Sequence, residues 1–196
     1  MKENIMVNVT IFGQGNMGKA IGENFMDAGN DVEYITTSSS KTTLGDLIVL
    51  AVPYSAVDEI IEQYGKELEG KTVVDITNPV NFETFDDLVV PSDSSAAEVI
   101  SKKLPETEVI KGFNTTFAAT LTTKKVADQH QTTVLFAGES KEAKDFVIKA
   151  LEGSGLATLD AGSLKRAREL EAMGFLQISL ASSEKISWGG GFGVFK

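Results

Sequence analysis

The run Val7-Asn8-Val9-Thr10-Ile11-Phe12-Gly13-Gln14-Gly15-Asn16-Met17-Gly18 constrains this chain more than any other feature. An apolar strand feeds directly into Gly-x-Gly-x-x-Gly. Met17, Ile21, Phe25 and Ala28 then recur at helical spacing until Ala28-Gly29-Asn30 signals a stop. Each glycine answers a separate demand: Gly13 a tight turn, Gly15 close approach of backbone to a pyrophosphate, Gly18 close packing of helix on strand. The helix N-terminus would aim backbone N–H groups at phosphate. The pattern reads as a dinucleotide-binding fingerprint, and Gln14, Asn16 and Met17 fall inside it as candidate contacts.

Composition narrows the partners. With 28 acidic against 18 basic residues, the chain lacks the basic surface that nucleic acid or an anionic membrane requires. An anionic cofactor must be attracted locally. The absence of cysteine excludes disulfides, thiolate metal sites and a Cys nucleophile, and no metal is expected. No apolar run reaches the roughly 18 residues of a membrane span, and Met1-Lys2-Glu3-Asn4 enters the first strand too early for a signal peptide. The cytoplasm is the expected compartment. The 196 residues, 42% hydrophobic, can bury a full core.

The rest of the chain alternates between strand and helix patterns. Val32–Ile35 reads as a strand, as does Leu47–Val52, which is ended by Pro53 and is too continuously apolar for a one-sided strand, so it belongs in the centre of a sheet. Ser55–Leu68 (helix), Thr72–Ile76 (strand), Ala96–Leu104 (helix) and Val109–Phe113 (strand) follow. Thr133–Ala137 (strand), Lys141–Leu151 (helix), Ala157–Leu159 (strand) and Leu164–Leu180 (helix) complete the series. This predicts an α/β, Rossmann-type doubly wound, mostly parallel sheet. Only about ten residues separate the second strand from Leu47, enough at about 3.3 Å each to cross a neighbouring strand. The usual third strand and its preceding helix are therefore expected to be missing. The expected division is a dinucleotide-binding domain over 1–163 and a C-terminal helix with a Gly/aromatic tail over 164–196, packed on that domain or on a second subunit.

The end of the second strand bears on the choice of dinucleotide. An NAD site normally places Asp or Glu there, about 20 residues after the first glycine. This chain has Thr36-Thr37-Ser38-Ser39-Ser40-Lys41-Thr42-Thr43. Hydroxyls and one ammonium cannot hold two ribose hydroxyls as a carboxylate would, but they can donate to a 2′-phosphate. NADP is expected over NAD, with Thr36, Thr37, Ser38, Ser39 and Lys41 as candidate contacts. Glu33 lies at the counted distance but precedes Tyr34 and Ile35, so it belongs inside the strand.

The chain resembles the NADP-dependent oxidoreductases related to the coenzyme F420 (deazaflavin)-dependent NADP reductases. The resemblance rests on Phe12–Gly18, Leu50-Ala51-Val52-Pro53, Asp75-Ile76-Thr77-Asn78-Pro79, Ser95-Ala96-Ala97-Glu98, Ile110–Thr115 and Leu159–Glu171, in that order. The first motif is also similar to pyrroline carboxylate reductases and β-hydroxyacid dehydrogenases. The resemblance implies a fold, an NADP site and hydride transfer, with Ala51, Val52 and Pro53 along the nicotinamide ribose and Asn78 and Pro79 near the nicotinamide. Where the family resembles a Ser-Arg pair after the second strand, this chain has Thr36-Thr37. A 2′-phosphate would lose the Arg fork, leaving Lys41 as a point charge.

In this fold ligands bind outside the carboxyl ends of the strands, which here carry Gly13–Gly18, Pro53-Tyr54, Asn78-Pro79 and Asn114-Thr115. Tyr54 is placed to pack on a ring edge. No catalytic acid or base stands out, and His130 sits in a polar stretch, where a surface role is expected. Ring-to-ring hydride transfer needs mainly distance and orientation, which suits a flavin or deazaflavin acceptor as second substrate. Two alternatives remain open: reduction of a small imine or carbonyl, and a non-catalytic NADP-sensing module. Arg166 and Arg168 fit a solvated helix face or an anionic substrate. Trp188, Phe192 and Phe195 could stack on a second ring or dock on a twin subunit, and a homodimer is expected.

Overall fold

The computed structural model describes residues 6–39 and 42–195. Its centre is a seven-stranded sheet built from β1 (Asn8–Phe12), β2 (Asp31–Ile35), β3 (Leu47–Leu50), β4 (Thr72–Asp75), β5 (Glu108–Lys111), β8 (Thr133–Ala137) and β9 (Ala157–Gly162). The strand order is β2-β1-β3-β4-β5-β8-β9. Strands β1 to β5 pair in parallel, and β3 lies between β1 and β4 with all four residues buried. Among the described residues nothing pairs on the outer side of β2, so the third strand of the doubly wound pattern is missing, as its short link predicts.

Helices cover both faces. Successive side chains alternate across each strand, so Val9, Ile11, Leu47, Val49, Val74 and Ile110 face one core and Phe12, Ile48, Leu50, Val73 and Val109 the other. The first core is closed by α1 (Asn16–Asp27), α4 (Ala118–Thr123) and α5 (Lys141–Ala150) through Ile21, Phe25, Leu121 and Val147. The second is closed by α2 (Val57–Leu68), α3 (Ala96–Lys103) and the start of α6 (Ala167–Ser182) through Val57, Leu68, Ile100 and Ala167. One polar tie fixes α1 against α4: Asn24 Nδ2 donates to Leu121 O at 3.0 Å, and also back along its own helix to Ala20 O at 2.8 Å.

The far edge departs from an all-parallel reading. β8 runs antiparallel to β5, through the single pair Lys111 and Ala137, and β9 runs parallel to β8. The chain between β5 and β8 forms α4 and the small hairpin of β6 (Lys125–Val126) and β7 (His130–Gln131). An antiparallel return needs no helical crossover over the sheet. These elements are short, and Thr-rich α4 has weak helix propensity, which is why sequence periodicity does not reveal them.

Candidate dinucleotide site

The glycine turn is tied into three strand ends. Gly13 N–H donates to Ile35 O at 2.8 Å, and Ala51 N–H donates to Phe12 O at 2.8 Å. Gly13 has φ +98°, and a Cβ there would stand 2.2 Å from Ala51 O. Gly18 has the second steric reason: its Cβ would stand 2.2 Å from Gly13 O. Gly15 has no such reason within the chain. A Cβ at Gly15 would meet nothing within 4 Å, and its φ of −73° suits any residue. What glycine provides at that position is room for a group from outside. Gly15 also starts α1 without a side-chain cap, and no acidic residue occupies the first turn, whereas Ser95 and Ser140 cap α3 and α5. The first N–H groups of α1 are left for an external anion.

Beside this turn opens a cleft of about 350 Å³, lined by Gly13, Gln14, Thr36, Thr37, Ser39 and Val52 and closed on the far side by Glu59, Ile60 and Tyr64 of α2. The hydroxyls organise one another. Ser39 Oγ accepts from Thr36 N–H at 2.9 Å, and Thr36 Oγ1 lies 3.0 Å from Ser38 Oγ. Ser38 is thus in the cluster but not among the lining residues. Lys41 lies outside the described residues, as does Ser40. Glu33 sits within β2, exposed, and accepts from Thr42 Oγ1 at 3.4 Å. Asn16 is exposed on the first turn of α1, while Met17 and Ala51 pack partly against the core. Pro53 is exposed and opens a 3₁₀ turn, Tyr54–Ala56. Burial pushes the Tyr54 hydroxyl above the usual phenol range; Lys103 pulls it down, and Asp58, Asp75 and Glu171 push it up. It remains protonated.

The ends of β4 and β5 are built from buried polar side chains. Lys111 Nζ is fully buried and donates to Asp75 Oδ2 at 2.7 Å, Thr77 O at 2.6 Å and Glu171 Oε1 at 2.8 Å. Glu171, on α6, also accepts from Ala96 N–H at 2.8 Å and Ala97 N–H at 3.3 Å, at the start of α3. Burial works to lower the Lys111 pKa, but Asp75 and Glu171 outweigh it and hold it above the ordinary lysine value. One ammonium faces two carboxylates. Burial accordingly pushes Glu171 up, against Lys111 and the Ala96 N–H, which pull it down.

Beside this cluster, Asn78 and Asn114 form a two-way amide pair. Asn78 Nδ2 donates to Asn114 O at 2.8 Å, and Asn114 Nδ2 donates to Asn78 Oδ1 at 2.8 Å and to Leu170 O at 2.8 Å. Both asparagines stand in tight turns. Val80 N–H donates to Asn78 O at 2.8 Å around the buried Pro79, and Asn114 N–H donates to Gly112 O at 2.8 Å around Phe113. Phe113 has φ +60°, a left-handed conformation that costs about 1–2 kcal/mol. Its fully buried ring packs edge-on against Phe25 and Phe136, with centroids 6.2 and 5.5 Å apart. Such burial is worth about 1.5–3 kcal/mol, so packing can hold the strained turn.

Other candidates lie elsewhere. His130 is exposed on β7, its ring 4.6 Å from Phe195. Arg166 and Arg168 both pair with Glu169, at 3.4 and 2.7 Å. The tail folds back on its own chain: Trp188 packs edge-on to Phe117 at 4.9 Å, Ala127 N–H donates to Gly189 O at 2.7 Å, and Phe192 N–H donates to Gln177 Oε1 at 3.2 Å. The sequence motifs hold Asp75, Lys111 and Glu171 without marking a role for any of them, and they place Asn114 at a ligand-facing strand end without showing its pairing with Asn78. The available signal was a charged residue closing an otherwise apolar strand, Thr72-Val73-Val74-Asp75 and Val109-Ile110-Lys111, because a buried charge requires a partner.

The sheet order, the glycine turn and the cleft define a Rossmann-type protein. A candidate F420-dependent NADP reductase from Arthrobacter sp. FB24 superposes with a TM-score of 0.83 at 20% identity, covering 97% of this chain and 100% of that one. Residues 33–79 match the family described as NADP oxidoreductase, coenzyme F420-dependent. The F420-dependent NADP reductase of Methanocaldococcus jannaschii is 33% identical over 140 residues, 69% of this chain and 62% of that protein. The metalloreductase STEAP3 of Rattus norvegicus is 31% identical over 142 residues, 71% of this chain and 27% of that protein. The chain spans less than two thirds of the length of these two relatives. It is related to the coenzyme F420-dependent NADP oxidoreductases, and its relatives are oxidoreductases.

Proposed function

We propose that this protein is an NADP(H)-dependent oxidoreductase that exchanges hydride with a planar acceptor of the flavin or deazaflavin kind. The observation that carries the reading is Gly15: the glycine turn has a residue whose missing side chain serves nothing inside the protein, at the uncapped start of a helix. That is the room and the charge a pyrophosphate needs. Gly13 and Gly18 shape the turn. Gln14, Asn16 and Met17 flank the pyrophosphate; Thr36, Thr37, Ser38, Ser39 and Lys41 receive the adenosine ribose and its 2′-phosphate. Ala51, Val52, Pro53 and Tyr54 run along the nicotinamide ribose, and Asn78 and Pro79 border the nicotinamide. Bound there, the dinucleotide supplies the hydride donor or acceptor.

The residues themselves bind and orient. A carboxylate at the end of β2 would repel a 2′-phosphate, and Thr36 and Thr37 offer hydroxyl donors instead; NADP is preferred on that ground. The protonated Tyr54 can donate a hydrogen bond but carries no charge. Among the described residues no helix is long and apolar enough to cross a membrane; we propose a cytoplasmic, homodimeric enzyme acting on a small molecule. The test is turnover: NADPH oxidation followed with riboflavin, a 5-deazaflavin, a cyclic imine and a simple carbonyl in parallel. Oxidation with the planar acceptors supports the reading. Oxidation only with the imine or carbonyl replaces the acceptor class, and NADPH binding without oxidation of any kind favours a sensor.

A further inference from the structure

We infer that Asn114 is a positioning residue for the nicotinamide end of the bound dinucleotide, acting through Asn78. The inference rests on the function proposed above and extends it to residues that touch no ligand, since Asn114 is only 3% exposed. Asn78 is half-buried beside Pro79, where that function places the nicotinamide. Its carboxamide cannot turn without breaking both 2.8 Å bonds to Asn114. Where Asn114 stands therefore decides where Asn78 stands.

Asn114 is in turn held from two sides. From the strand side, it follows Phe113 at φ +60°, a conformation that persists in a buried phenylalanine only where its surroundings impose it. From the helix side, Leu170 O accepts its second N–H, and α6 reaches this close because Gly174 has no side chain. A Cβ on Gly174 would stand 2.4 Å from Asn78 Oδ1 and 2.8 Å from Asn114 O. Asn114 Oδ1, meanwhile, is buried with no partner. Strained backbone, an unsatisfied acceptor and a side-chain-free helix contact meet on one amide pair at the end of the sheet where ligands bind.

The test separates the two ends of the dinucleotide. Wild type, Asn114→Ala, Asn114→Asp and Gly174→Ala are titrated with NADPH and with 2′,5′-ADP, which carries the adenosine and its 2′-phosphate but no nicotinamide. Asn114→Asp keeps the shape and removes both donated bonds, while Gly174→Ala drives a Cβ against Asn78 Oδ1 and Asn114 O; a cooperative thermal unfolding transition recorded for each variant shows that it is folded before it is titrated. The expected result is an affinity for NADPH lowered about tenfold in each variant, with affinity for 2′,5′-ADP within about twofold of wild type. NADPH binding unchanged in the variants would overturn the inference alone. Parallel loss of both ligands would also overturn it, because a general structural role weakens both ends together. Wild-type protein that binds neither probe would remove the proposed function and this inference with it.

Discussion

The two ends of the candidate site are built by opposite means. At the β1–β2 end the wall is mostly backbone: Gly13, Gly15 and Gly18 shape it by lacking side chains, and the hydroxyl loop of Thr36 and Ser39 bonds to itself within four residues. At the β4–β5 end the wall is buried side-chain chemistry, joined across separations of 36 residues from Asn78 to Asn114 and 75 from Ala96 to Glu171. The first end is open and tolerant wherever a side chain meets nothing. The second is closed, and every group in it depends on groups far away in sequence. On the proposed reading, local features would receive the dinucleotide's phosphates, and long-range features would place its nicotinamide end.

The largest expected effect lies at the closed end. Lys111→Met removes the cluster's one ammonium and leaves Asp75 and Glu171 buried together, which should cost about 3–5 kcal/mol in denaturant unfolding. Glu171→Gln removes the surplus negative charge and keeps an acceptor for the Ala96 N–H but turns its amide donor toward Lys111 Nζ and the Ala97 N–H, so it should cost less, about 1–3 kcal/mol. Equal costs for the two variants would contradict the charge balance described here.

At the open end the glycines should separate. Gly18→Ala forces a Cβ against Gly13 O and should destabilise the protein by about 1–3 kcal/mol. Gly15→Ala should leave stability within about 0.5 kcal/mol while lowering dinucleotide affinity about tenfold or more, equivalent to about 1.4 kcal/mol. Thermal unfolding and a fluorescence titration on the same two variants check both halves, and a stability loss at Gly15 would show that protein packing had claimed that space. A smaller effect is expected from Thr36→Asp, a carboxylate at the end of β2. It should move the NADPH-to-NADH affinity ratio toward NADH by about tenfold; an unmoved ratio would mean that this loop does not read the phosphate.

The smallest effect is in pH. Because its partners hold the folded-state Lys111 pKa above the ordinary value, its contribution to stability is fully present below about pH 10.4. It is lost only as pH rises through the higher folded value. The stability gap between wild type and Lys111→Met should therefore be flat from about pH 8 to about pH 10.4 and narrow beyond it. A gap that closes within that window would mean that Lys111 is not held charged.

These two ends also differ in how far the sequence reveals them. The Gly13–Gly18 turn, the central all-apolar β3 and the missing third strand follow from local spacing and link length, and the structure has all three. The antiparallel pairing of β8 with β5 does not follow, because strand direction depends on what the intervening chain does, and α4 with the β6–β7 hairpin carries too little periodicity to show it. The Lys111 cluster shows in the sequence only as polar residues at strand ends, and Asn78, placed near the nicotinamide by the resemblance, gives no sign there of its pairing with Asn114. Their partners, Glu171 and Leu170, lie on a helix that no local rule brings to that place.

The most direct measurement is a calorimetric titration of the purified protein with NADPH and NADH. Saturable one-site binding, tighter for NADPH, is what the glycine turn, the uncapped helix and the carboxylate-free loop together require. Absence of binding by either dinucleotide would contradict the central claim, whatever the fold.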